Sequence, residues 1–81
     1  MKKLNAYNEC NEREINAMVG KAACAWANWQ VALDNPHSKE LQIAYKNEYE
    51  ATIRCIDMFV KNDLYEIQAI AIEEAREMMA A

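Results

Sequence analysis

The sequence predicts an all-α fold: a small three-helix bundle running up-down-up, or a helical hairpin with a third helix added, with the first helix central. Three observations predict it. Gly20 and Pro36 are the only residues of their kinds, and a sheet protein needs many more turn residues. Ala, Glu, Lys, Met, Leu and Gln, all good helix formers, are abundant. Apolar residues recur at spacings of three and four. With 81 residues the chain forms one domain, and its core is marginal unless well packed or shared with a partner.

The first helix is expected over residues 12–33. Asn11 reads as its N-cap with Glu14 as the acid at the third position, although Leu4 and Tyr7 lie in phase and would allow an earlier start. Its apolar stripe is Ile15, Met18, Val19, Ala22, Trp26, Trp29 and Leu33. It stops at Asp34, because Asn35 precedes proline and is pushed out of the α region.

The second helix is expected over 37–60, capped by Asn35 with Pro36 at the first helical position. Its stripe reads Leu41, Ala44, Tyr45, Thr52, Cys55, Ile56 and Phe59. Glu50 and Arg54 stand four apart in the favourable order for an ion pair. Leu64 falls out of phase with this stripe at about 100° per residue. Asp63 followed by Glu66 reads as a new acidic cap, which places a break at 61–63. The third helix, over 64–79, then buries Leu64, Ile67, Ala71, Ala75 and Met78.

The first helix lacks an ordinary charged face. Opposite its tryptophans lie Ala17, Gly20, Cys24, Ala27 and Val31, flanked by Lys21 and Asn28. A helix apolar all round is normally buried. Either it is the middle of the bundle, touching one neighbour on each side, or the small-residue face meets another chain, most simply a second copy about a two-fold axis. A dimer is the first expectation.

Composition excludes several function classes. The net charge is −4 and the pI about 4.9. The basic residues are scattered, with only Lys2 adjacent to Lys3, which argues against nucleic-acid binding. The third helix carries four glutamates against Arg76 and would repel phosphate as a recognition helix. Residues 15–33 hold one charge, yet Asn16, Asn28, Gln30 and many alanines make the segment too weakly apolar to span a membrane. Cys10, Cys24 and Cys55 lack paired metal or redox spacing, and residues 1–11 are polar with no signal-peptide character; a reducing cytoplasm and free thiols are expected. Cys24 and Cys55 read as small core or interface residues.

No metal or cofactor site is predicted: His37 is the sole histidine and belongs to a turn. Ser38 is the sole serine and no nucleophile–base pair is evident, so the chain is expected not to be an enzyme. Glu48 falls inside the predicted stripe of the second helix, where a carboxylate must find a partner or a hydrogen bond. Trp26, Trp29, Tyr45 and Tyr49 could line an aromatic groove, with Lys21 or Arg54 at its rim to hold a planar anion such as a nucleotide; the alternative is a packed aromatic core.

The expected function is therefore that of a non-enzymatic helical module for protein–protein interaction, self-associating and binding or inhibiting another macromolecule. A phage or mobile-element inhibitor of a host defence complex would be one form of it. The alternative is a small-ligand, nucleotide-like binding or sequestering protein that uses the aromatic groove.

Overall fold

The computed structural model describes residues 4–7, 12–35 and 37–80. The proposed Asn11 cap, Cys10 and Pro36 lie outside them. Three helices follow in order: α1 (Glu12–Leu33), α2 (Lys39–Asp57) and α3 (Leu64–Ala80). Helix α1 packs against both others, and α2 and α3 meet each other far less. The molecule is an all-α bundle with α1 at its centre.

The start of α2 differs from expectation. Ser38, not Asn35, occupies the cap position, and it makes no side-chain cap bond. Its hydroxyl instead donates to the carbonyls of Ala32 (3.2 Å) and Asn35 (2.9 Å). Asn35 Oδ1 accepts the His37 N–H at 3.1 Å, a turn made from a short amide side chain. Gln42 Nε2 donates to the Ala32 carbonyl at 2.9 Å, satisfying part of the exposed end of α1. The α3 cap is as predicted: Asp63 Oδ1 accepts the Glu66 N–H at 2.8 Å.

Helix α2 ends at Asp57 rather than near residue 60, and its termination involves the N-terminal segment. Leu4 to Tyr7 do not extend α1. They run extended across the α2–α3 turn, where Ala6 and Val60 form an antiparallel bridge. Tyr7 N–H donates to the Phe59 carbonyl (3.1 Å) and Lys61 N–H to the Asn5 carbonyl (2.7 Å). Asn62, buried beneath this strap, accepts the Asn5 N–H at 2.6 Å and donates to Glu66 Oε2 at 3.1 Å. The Lys61 ammonium lies 5.8 Å from the Tyr7 ring centre, within cation–π range.

The core is isoleucine and alanine. Ile15 and Val19 of α1, Ile53 and Ile56 of α2, Val60, and Ile67 and Ile70 of α3 form one buried cluster with Tyr49. Buried Ala22, Ala23 and Ala25 of α1 and Ala71 and Ala75 of α3 complete it, and such short side chains let helix axes run close.

The buried faces correct the predicted stripes. On α2 the inward residues are Tyr49, Thr52, Ile53 and Ile56; Leu41, Ala44, Cys55 and Phe59 are exposed, and Tyr45 is half-buried. The stripe is rotated because α1 receives Tyr49 and Ile53 rather than the residues on their flank. On α3, Ile70 replaces Leu64 and Met78, which are exposed. On α1, Ala22, Ala23 and Ala25 are enclosed, the tryptophans half-buried and Leu33 exposed. Cys24 and Cys55 are free and exposed, so neither is a core residue of this chain. Among the described residues no helix is long and apolar enough to cross a membrane.

Candidate functional site

The separation of α2 from α3 leaves a groove of about 390 Å³ along the tryptophan side of α1. Trp26 and Trp29 belong to α1, three residues apart and so on one helical face. Tyr49, Ile53 and Arg54 line the groove from α2, and Leu64, Gln68 and Ile72 from α3. The Trp29 and Tyr49 rings are tilted by 42° with centres 6.1 Å apart, a favourable aromatic pairing. The Arg76 guanidinium of α3 stands 5.9 Å from the Trp26 ring centre.

The charges at the rim are unevenly partnered. Glu50, which also lines the groove, pairs back to Lys46 at 3.9 Å instead of forward to Arg54. Among the described residues neither Arg54 nor Arg76 forms a salt bridge; Arg54 lines the groove, whereas Arg76 lies over the Trp26 ring outside the lining.

Tyr49 is 5% exposed, and its enclosed hydroxyl has no hydrogen-bond partner. Such a group costs free energy, since burial removes water without replacing it. Burial and, secondarily, the nearby Glu50 charge push the phenol above its ordinary value of 10.0.

Of the residues singled out in the sequence, Trp26, Trp29, Tyr49 and Arg54 come together here. Tyr45, Lys21 and Glu48 do not line the groove. Glu48 is exposed, which corrects its placement inside the apolar stripe; only its backbone carbonyl is engaged, accepting the Thr52 hydroxyl at 2.8 Å. Gln68 and Ile72 were missed because the groove's third wall depends on how α3 docks. A second, open depression of about 740 Å³ lies along α3 itself, shares Gln68 and Ile72, and is lined by Arg76 between Glu73 and Glu77.

The other candidate surface is the outward face of α1. Ala17, Cys24 and Val31 are exposed, and Gly20 and Ala27 half-buried. The expectation that both sides of α1 are covered therefore fails within the single chain: neighbouring helices cover one half, and this half is open. At its α3 edge, Cys24 Sγ approaches Met78 Sδ at 4.0 Å. No atom lies within 4 Å of the position a Gly20 β-carbon would take. Among the described residues no cluster of three His, Cys, Asp or Glu could hold a metal ion.

No protein-family model, curated protein or solved structure matches the chain.

Proposed function

We propose that this chain is a non-catalytic helical interaction module that self-associates through the outward face of α1 and binds or blocks another macromolecule. The observation that supports this reading most directly is Gly20. A glycine in mid-helix is about 1 kcal/mol less favourable than alanine, and here nothing in the chain uses the space it leaves. A second backbone approaching that face would use it. Ala17, Cys24 and Val31 extend the open strip, with Val31 64% exposed. Pairing the strip with itself gives a closed two-fold dimer. The partner macromolecule has large apolar side chains available outside this strip, among them Leu41, Ile43 and Tyr65.

Sedimentation velocity over a concentration series tests the self-association. The wild-type chain is expected to dimerise. Gly20→Leu and Ala27→Leu are expected to remain helical by circular dichroism and to stay monomeric. A wild-type monomer at high concentration overturns the reading.

A further inference from the structure

We infer that residues 4–7 form a latch: the strap opens as one unit while all three helices stay folded, and in opening it bares the edge at 59–62. This goes beyond the interaction-module reading and does not depend on the Gly20 strip.

The strap is built as a short strand. Leu4 and Ala6 are partly buried against the core cluster, while Asn5 and Tyr7 are exposed. That alternation is the period-two pattern of a segment with one covered face. Its ties follow the same register. The bond from Tyr7 N–H to the Phe59 carbonyl and the bond from Lys61 N–H to the Asn5 carbonyl flank the Ala6–Val60 pair, and the Asn5 N–H reaches Asn62 Oδ1. Lifting one residue off the edge spoils the alignment of the others, so the ties form and break together.

The ties are also few for the chain they order. Three hydrogen bonds hold four residues, and fixing each residue's backbone costs entropy comparable to what one such bond returns in water. No strap residue is fully buried, and Tyr7 is 49% exposed. The contact between Lys61 and the Tyr7 ring lies at the surface, where a cation–π pair is weak.

The helices have supports of their own. Helix α1 packs directly on both α2 and α3. Asp63 caps α3 through the Glu66 N–H, and the Asn62–Glu66 bond involves no strap atom. What the strap covers is local, chiefly Val60 and Asn62. Opening hands the Phe59 carbonyl, the Lys61 N–H and Asn62 Oδ1 to water, which partners each of them. The closed latch thus keeps a backbone pairing edge shut against strand addition from outside.

Native-state amide hydrogen exchange, read by NMR on the full-length protein in a urea series below the unfolding transition, tests the latch. After correction for intrinsic rates, Asn5, Tyr7 and Lys61 should share one protection factor. It should lie at least about a hundredfold below those of Ala22 and Ile56 and change little with urea. Strap amides that match Ala22 and Ile56 in protection and urea dependence overturn the proposal, because the strap would then open only when the bundle unfolds. Three unrelated rates, or no protection at Tyr7 and Lys61, overturn it as well. Tyr7→Pro removes the donor to Phe59 and leaves the segment extended. It should lower Lys61 protection by at least about tenfold while the circular dichroism of the helices is unchanged. Loss of helicity in this variant would make the strap integral to the bundle and sink the latch. Monomer–dimer behaviour is measured separately, so failure here leaves the interaction-module reading standing.

Discussion

The Asn62 side chain carries the backbone of Asn5: its Oδ1 accepts the Asn5 N–H at 2.6 Å across 57 residues of chain. Its amide nitrogen reaches Glu66 at the start of α3, so one buried side chain ties the N-terminal strap to the α2–α3 turn.

Removing that side chain is expected to be costly. Asn62→Ala leaves the Asn5 N–H without its partner and vacates a buried position, at an expected loss of about 1–3 kcal/mol. Urea denaturation followed by circular dichroism measures it. A change below about 0.5 kcal/mol, typical of an indifferent surface site, would mean that the strap contributes nothing.

Ile56 and Ile67 are both fully enclosed, one on each of the helices that flank α1. Truncating either to alanine should cost about 2–5 kcal/mol. Small domains have about 5–15 kcal/mol in total, so either variant should show a much lower melting temperature and the double variant should be unfolded. Thermal melts monitored at 222 nm check this.

Gly20→Ala separates folding from association. Space is open around the added methyl, and alanine is the better helix former by about 1 kcal/mol. At concentrations where the chain is monomeric, the melting temperature should rise by about 4–8 °C. If two copies meet at this face, the same substitution should weaken the dimer. Melting and sedimentation of one variant therefore move in opposite directions.

Tyr49 sets an alkaline dependence of stability. The folded state raises its pKa above the unfolded value of 10.0, chiefly by burial and then through Glu50. Folding thus favours the neutral phenol. The stability linked to neutrality is complete below pH 10.0 and is lost as pH rises through the folded value. Tyr49→Phe should remove this component, so the gap between the variant and the wild type should widen in favour of the variant above pH 10.0. Parallel denaturation curves near neutrality and in alkali decide it. A constant difference would contradict the assignment.

Much of the architecture was legible in the sequence because its signals are local. Asp63 and Glu66 announced a new helix, and the out-of-phase Leu64 required a break before it. The faces were harder to read. Helix α2 carries two adjacent apolar stripes, one with Leu41 and Cys55 and one with Tyr49 and Ile53, and only docking against α1 chooses between them. The strap left no signal at all, since Leu4 and Tyr7 also fit a helical spacing and their true partners sit more than fifty positions away. The groove was half legible: Trp26, Trp29, Tyr49 and Arg54 converge as an antiparallel α1–α2 pair requires, whereas the α3 wall with Gln68 and Ile72 depends on a packing angle that no short motif encodes.

The strap also bears on the order of events at the ribosome. Residues 4–7 leave the exit tunnel before α1, yet the edge they pair with, at 59–62, is made only after α1 and α2 are complete. A segment made before α1 is thus among the last to find its place, and a nascent hairpin of α1 and α2 must wait with its isoleucines uncovered until α3 emerges.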